Sequence, residues 1–206
     1  MPLLSEQGAV AGVILAAGAS RRMGTNKMLL PVSGEPMIRR TVRAALDAGV
    51  APLVVVLGHE PERVRAALDG LDCHFAMSDD HTGPTSASLH AGLRALDSAS
   101  LKAQRPIAGT VVLLGDMVRV TTAMIATLVR SARLGAAPLE VSRYGAVLAP
   151  PLFFRRALWP ELLAWTGEGC GKTVVRAHEA EATMHDWPVE ALRDVDTKAD
   201  YEELTP

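Results

Sequence analysis

Two glycines and three cations follow a short apolar run near the start of the chain, and together they have the chemistry to bind phosphate. The run Val10 to Leu15 is apolar without alternation, which is typical of a strand buried on both faces. After it, Gly18 and Gly24 let the backbone approach a ligand closely, and exposed backbone N–H groups in such a turn attract anions. The cations are Arg21, Arg22 and Lys27. A solvated surface turn is the alternative, but the combination favours a triphosphate-binding loop.

A carboxylate follows a second buried run. Thr110 to Leu114 predicts another strand, and Gly115 and Asp116 come directly after it. Mg²⁺ in proteins is commonly held by one or two carboxylates together with substrate phosphates. Asp116 is therefore a candidate metal ligand; a helix cap or a partner for a nearby cation are the alternatives.

The elements between these residues predict where they meet. Strands are expected at Val10–Leu15, Leu53–Leu57, Cys73–Met77 and Thr110–Leu114, with helices between them. Such alternation predicts an α/β fold: a three-layer, doubly wound, mostly parallel sheet with helices on both faces. Ligands of these folds bind beyond the carboxyl ends of the strands, where the first loop, the segment after Met77 and the segment after Leu114 converge.

Several local elements complete this prediction. Helices are expected over Glu35–Ala48, with Pro36 in the first turn, and over Ser86–Leu96 and Thr122–Arg133. Ser98 to Gly109 is expected to form a surface excursion. Beyond it we expect two weak strands over residues 138–151, a helix over 155–165, a glycine-rich loop leading into a helix over 167–178, a strand near Thr183 and a terminal helix capped by Thr197.

The first loop resembles a family signature, L-A-A-G-x-S-x-R-M-G-x-x-K, of the MobA-like NTP transferases, which include the molybdenum-cofactor guanylyl- and cytidylyltransferases. The matching residues are Leu15, Ala16, Ala17, Gly18, Ser20, Arg22, Met23, Gly24 and Lys27. The resemblance implies a fold like that of the nucleotide-diphospho-sugar transferases, which is Rossmann-like. It also implies one nucleotidyltransferase domain over residues 1–206, with the NTP bound by 1–135 and the acceptor by 136–206.

The same resemblance implies roles for individual residues. Arg22, Lys27 and Asp116 would be catalytic, and Asp116 would hold Mg²⁺. Asp196 would complete the metal site, although the Asp194–Thr197 stretch equally suits a cap for the last helix. The nucleotide would be bound by Leu15, Ala16, Ala17, Gly18, Ser20, Arg22, Gly24, Lys27, Thr82, Gly83 and Ser88. The last three belong to a base-binding segment; Ser86 would cap a helix there under the simpler interpretation.

The resemblance also suggests the substrates. Ala16-Ala17-Gly18 is the form found in the cytidylyltransferases, so CTP is favoured over GTP, and molybdopterin is the implied acceptor. Residues 145–153 lack a family histidine, which weakens the acceptor assignment. Val118 stands where the family has proline, a difference that affects the shape of the loop more than metal binding. The alternatives are a GTP-dependent enzyme, a sugar- or polyol-phosphate acceptor, a non-catalytic nucleotide-binding regulator, and a chaperone-like partner of a molybdoenzyme.

Composition limits the other possibilities. A net charge of −2 does not indicate the excess of positive charge that binding to nucleic acid or to an anionic membrane requires. No apolar run reaches the length of a membrane span, and the first residues show no leader pattern, so a cytoplasmic protein is expected. The two cysteines, Cys73 and Cys170, and the six histidines show no metal-ligand spacing. The stretch from Gly167 to Thr173 is similar to a P-loop. However, Thr166 stands where the P-loop pattern requires its first glycine, and no strand is expected before the stretch.

Overall fold

A seven-stranded sheet forms the centre of the protein. The computed structural model describes residues 8–20, 23–78, 80, 83–104, 106–169, 171–192, 195 and 198–204. The strand order is β5-β4-β1-β6-β8-β7-β9, and β8 alone runs antiparallel to its neighbours. The strands are β1 Ala9–Ala16, β4 Leu53–Leu57, β5 His74–Met77, β6 Ile107–Leu114, β7 Leu139–Tyr144, β8 Val147–Arg155 and β9 Thr183–Trp187, and a separate hairpin contains β2 Pro31–Val32 and β3 Glu35–Pro36.

Helices cover both faces of this sheet. One apolar core contains side chains of α1, α2 and α4, and the other contains side chains of α3, α5 and α6. Strands such as β4 are buried throughout, which explains their uninterrupted apolar sequence. The structure confirms the expected three-layer, mostly parallel α/β fold. The helices are α1 Met37–Asp47, α2 Pro61–Ala67, α3 Thr85–Ala103, α4 Thr122–Leu134, α5 Trp159–Ala164, α6 Lys172–Ala177 and α7 Lys198–Leu204.

The parallel strands bring three segments to one edge of the sheet. β1, β4, β5 and β6 all run in the same direction, and β1 lies between β4 and β6. The segments that follow β1, β5 and β6 therefore leave the sheet at the same edge, as expected. Among the described residues, no helix combines the length and the apolar character needed to cross a bilayer.

Two local predictions are wrong. Pro36 does not lie in the first turn of α1, because residues 31–36 form a hairpin around Ser33 and Gly34, whose positive φ values of 52° and 86° are those of a tight two-residue turn. Residues 98–109 do not form a surface excursion. α3 continues to Ala103, with the Ser98 hydroxyl donating to the Arg94 carbonyl, and β6 begins at Ile107, whose side chain is buried.

A histidine links α5 to the end of α6. The His178 Nε2 atom lies 2.9 Å from Glu161 Oε2, and this hydrogen bond raises the pKa of His178 above its ordinary 6.5. Its contribution to stability is therefore present below about pH 6.5 and is lost as the pH rises through the higher folded-state pKa.

We expect His178→Gln to lower the free energy of unfolding more at pH 5.5 than at pH 8.5. Urea denaturation at the two pH values measures this difference, and Glu161→Gln should reproduce it. An equal loss at both pH values would contradict the ionic pairing.

Candidate active site

Lys27 and Asp116 meet at the carboxyl edge of the sheet. Lys27 Nζ lies 2.5 Å from Asp116 Oδ2, and the two side chains are only 13% and 12% exposed. The other carboxylate oxygen, Asp116 Oδ1, is buried and has no hydrogen-bond partner among the residues that the structure describes. A buried oxygen without a partner is costly, so one lone-pair-bearing atom remains available to an incoming cation or donor. The pair thus places a cation and an anion where the first loop and the segment after β6 converge.

A buried asparagine holds Lys27 in this position. Asn26 is 2% exposed; its side-chain oxygen accepts from the Met28 N–H, and its amide donates to the His59 carbonyl, which lies 3.2 Å away. The backbone N–H of Lys27 donates to Ser20 Oγ at 3.2 Å. Asn26 thereby caps the short 3₁₀ helix Lys27–Leu29 and attaches it to the segment after β4. Asn26 was not among the expected site residues, although an asparagine before a helical turn is a recognisable capping signal.

The rest of the first loop offers backbone rather than side chains. Leu15, Ala16 and Ala17 are buried at the end of β1, and the Ala17 carbonyl accepts from the His59 N–H. A Cβ atom at Gly18 would meet no other atom within 4 Å, so the space beside the backbone is open. Gly24 has the same open surroundings and a φ of +68°, which favours glycine. Arg21 and Arg22 lie outside the described residues, and the catalytic role of Arg22 stays a prediction.

The segment that carries Asp116 is fixed by short-range contacts. The Gly115 N–H donates to the Leu15 carbonyl at 3.0 Å, and the Thr41 hydroxyl donates to the Gly115 carbonyl at 3.1 Å. The Val118 N–H donates to the Asp116 carbonyl at 2.9 Å. A proline has no N–H, so the valine found here adds a hydrogen bond that the family's usual residue cannot form.

An apolar cluster brings the C-terminal segment to the same place. Val195 is fully buried with Val32 and Met37, and the cluster also contacts Met23 of the first loop and Val118 of the Asp116 segment. The members of this cluster are Val32, Met37 and Val195, with Met23, Val118 and Tyr201 packed against them. Asp194, Asp196 and Thr197 lie outside the described residues, so the metal-ligand role of Asp196 stays a prediction.

The expected base-binding segment is held between β5 and α3. Ser88 Oγ lies 3.0 Å from Ser78 Oγ, and both residues are buried. A hydroxyl can take part in more than one hydrogen bond, so this contact leaves Ser88 capacity to bind a base. Gly83 is exposed, and a Cβ there would come within 2.0 Å of an Asp80 carboxylate oxygen. Thr82 lies outside the described residues.

The described residues contain no cluster of three or more His, Cys, Asp or Glu side chains that could hold a metal ion. The Asp116 carboxylate with its unpartnered Oδ1 nevertheless fits Mg²⁺, which commonly takes a single protein carboxylate and completes its shell with water and phosphate oxygens.

The P-loop-like residues 167–173 follow α5 rather than a strand, in agreement with the rejection of that motif.

Two glycines at this edge have different surroundings: Gly115 packs against the core, and Gly18 lies beside open space where a ligand could bind. A Cβ at Gly115 would lie 2.8 Å from Met28 Sδ and 2.9 Å from Ile38 Cδ1 in the core, whereas Gly18 faces open space. We expect Gly115→Ala to lower the free energy of unfolding by about 1–3 kcal/mol through overpacking.

Gly18→Ala should change stability by less than about 0.5 kcal/mol but weaken NTP binding, because its methyl group would occupy the open space. Urea denaturation and calorimetric titration measure the two quantities. Undiminished NTP affinity of Gly18→Ala would contradict a phosphate site at this loop.

Comparison with known proteins identifies the matching family. The model of the MobA-like NTP transferase domain matches residues 12–182. Among curated proteins, the bifunctional protein GlmU of Cupriavidus pinatubonensis is 37% identical over 144 residues, which is 66% of this chain and 30% of that protein. The chain therefore spans less than a third of the length of the curated relatives it matches.

Solved structures of mycobacterial proteins are similar over nearly the whole chain. The Rv0371c homologue from Mycobacterium sp. strain JC1 is 32% identical with a TM-score of 0.75, covering 95% of this chain and 94% of that one. Rv0371c of Mycobacterium tuberculosis H37Rv, crystallised as a complex with manganese, is 27% identical with a TM-score of 0.71, covering 95% and 97% of the two chains.

Proposed function

Because the chain belongs to the MobA-like NTP transferase family, we propose that it transfers CMP from CTP to molybdopterin and releases pyrophosphate. The observation that carries the proposal is the contact of Lys27 with Asp116 beside an open, glycine-containing loop. Nucleotidyl transfer needs positioning and charge stabilisation more than a protein nucleophile, and this edge of the sheet offers both. We assign residues 1–135 to NTP binding and 136–206 to acceptor binding.

In the proposed reaction, a phosphate oxygen of the acceptor attacks the α-phosphorus of CTP. A new phosphoanhydride bond forms, the bond from the α-phosphorus to the bridging α,β-oxygen breaks, and pyrophosphate leaves with the electron pair. Lys27 would move from Asp116 to the phosphates and neutralise the charge that develops on the leaving group. Arg22 would act alongside it, on the strength of the family signature.

Asp116 would hold Mg²⁺ through the oxygen that has no partner among the described residues, and Asp196 would complete the site. Mg²⁺ held there would supply charge neutralisation for the triphosphate and Lewis-acid polarisation at the reacting phosphate. The manganese complex of a 27% identical relative supports a divalent ion in this fold.

CTP is favoured by Ala16-Ala17-Gly18 at the end of β1. Ala17 is buried with its methyl group in place, whereas the guanylyltransferases of the family tend to carry a second glycine there. The smaller pyrimidine suits the narrower space. If GTP and CTP supported equal turnover, this basis for selectivity would be wrong.

A sugar phosphate is the alternative acceptor. The similarity to GlmU, together with the missing histidine in residues 145–153, supports it. A molybdoenzyme or its chaperone is the protein partner that the molybdopterin proposal implies. Retention of Lys27 and Asp116 in contact speaks against a purely regulatory nucleotide-binding protein.

The test measures pyrophosphate release with each of the four NTPs and Mg²⁺, combined with molybdopterin, a panel of sugar phosphates or no acceptor. We expect release only with CTP and molybdopterin together. Release with a sugar phosphate would replace the acceptor but keep the reaction type. Absence of NTP binding under all conditions would refute the proposal.

A further inference from the structure

Four hydrogen bonds connect the start of α3 with the loop that precedes α6. The Ser86 N–H donates to the Gly167 carbonyl at 3.0 Å, and the Gly167 N–H donates to Ser86 Oγ at 3.0 Å. Glu168 Oε2 accepts from the Thr85 hydroxyl at 2.5 Å and from the Thr85 N–H at 3.3 Å. These residues are more than 80 positions apart in the chain, so the contact joins two separate parts of the fold.

Glu168 therefore caps α3 from a distant loop. The first N–H groups of a helix have no partner within the helix, and a carboxylate there is favoured by both the hydrogen bond and the helix dipole. α3 contains 19 residues and begins within the proposed base-binding segment, between Gly83 and Ser88. The position of this segment thus depends on a side chain from the other part of the chain.

The loop that carries Glu168 leads to a cationic cavity. Gly167, Gly169 and Gly171 have φ values of +141°, +95° and +80°, which residues other than glycine rarely adopt. The conformation of the loop at these three positions therefore depends on glycine. Lys172 follows at the start of α6 and lines a cavity of about 410 Å³. Its lining also includes Arg176, Glu179, Leu148, Leu152 and Arg143, whose guanidinium is paired with Asp186, so the cations outnumber the one lining carboxylate.

We propose that Glu168 is a positioning residue that couples the base-binding segment to the loop of the cationic cavity. It acts through Thr85 and Ser86 and touches no substrate itself. Nucleotide bound at residues 83–88 stabilises the Thr85–Glu168 contact and orders the loop up to Lys172, so that nucleotide and acceptor bind with positive cooperativity. The inference rests on the proposed function, because it needs a nucleotide at the start of α3.

Amide hydrogen exchange tests the coupling without requiring turnover. We expect CTP with Mg²⁺ to slow exchange in residues 163–176 of the wild type about tenfold, the scale of a hydrogen bond to a charged group. Glu168→Ala should abolish this slowing, whereas Glu168→Gln, which keeps an acceptor oxygen, should retain part of it. Glu190→Ala removes an exposed carboxylate outside the loop and outside α6, and serves as the matched control.

Thr85 supplies a second pair of variants in case Glu168→Ala does not fold. Thr85→Val removes the hydroxyl donor and should reduce the slowing, and Thr85→Ser should preserve it. In turnover assays, Glu168→Ala should raise the KM of the acceptor about tenfold while kcat changes less, as expected for lost binding coupling rather than lost chemistry.

The outcomes separate the two proposals. If calorimetry shows CTP binding but residues 163–176 exchange alike in the wild type and in Glu168→Ala, the coupling is refuted and the proposed function stands. If no NTP binds, the proposed function is refuted and the coupling with it. Slowing in the wild type that is lost in Glu168→Ala and reduced in Thr85→Val, but kept in Glu190→Ala, supports the coupling.

Discussion

Asp116→Asn is expected to lower nucleotidyl transfer by a factor of about 10²–10³, the usual consequence of losing one group that stabilises charge in a transition state. The asparagine keeps the shape of the side chain but cannot offer a carboxylate to the metal ion. Because Oδ1 is buried without a partner among the described residues, the change acts at the position where we place the ion. Pyrophosphate release at saturating CTP measures the effect.

A matched substitution separates this effect from general charge loss. Asp69 is an exposed residue after α2 and is not part of the candidate site, so Asp69→Asn should leave turnover unchanged. Raising the Mg²⁺ concentration should not restore Asp116→Asn to the wild-type rate. Turnover within a factor of two of wild type would mean that Asp116 does not hold the catalytic ion.

Lys27→Met is expected to lower turnover by at least a comparable factor, corresponding to about 2.7–4 kcal/mol of transition-state stabilisation. The same substitution should increase the affinity of the protein for a metal ion in the absence of nucleotide. In the free protein the Lys27 ammonium is paired with Asp116 Oδ2 at 2.5 Å, so a cation that approaches the carboxylate competes with it. Without the lysine, Mn²⁺ should bind about tenfold more tightly when no nucleotide is present.

Paramagnetic resonance of free Mn²⁺ measures this affinity directly. Arg130→Met, which neutralises an exposed cation on α4, should change neither quantity. The combination of lower turnover with tighter metal binding distinguishes a lost functional group from a damaged fold. Weaker Mn²⁺ binding by Lys27→Met would contradict the competition between lysine and metal.

The residues at the sheet edge follow from sequence by simple rules. β1 and β6 are each too apolar for an exposed strand, and parallel neighbours end at the same edge. From this alone, Lys27 and Asp116 are expected near each other, and the structure places them in contact. Local patterns carry this information because Asp116 follows β6 almost directly and Lys27 belongs to the glycine-containing segment that follows β1.

Contacts between distant segments could not be anticipated in the same way. Neither Glu168 nor Thr85 shows a pattern that identifies the other, since a cap supplied by a loop 83 residues away leaves no local signal. The hairpin at residues 31–36 was missed because Glu35 and Pro36 are also good residues for a helix start. The extension of α3 through residues 98–103 also differs from the expected surface excursion; the helix accommodates Ser98, whose hydroxyl donates to the Arg94 carbonyl one turn earlier.

Isotopic labelling of CTP tests the central claim most directly. The protein would be incubated with Mg²⁺, molybdopterin and CTP labelled with ³²P at either the α- or the γ-phosphate, with Asp116→Asn as the control. Nucleotidyl transfer predicts that the α-label moves to the acceptor and the γ-label to pyrophosphate, at a rate far above that of the control. Release of the γ-label as orthophosphate, its transfer to the acceptor, or equal rates in the wild type and Asp116→Asn would contradict the account.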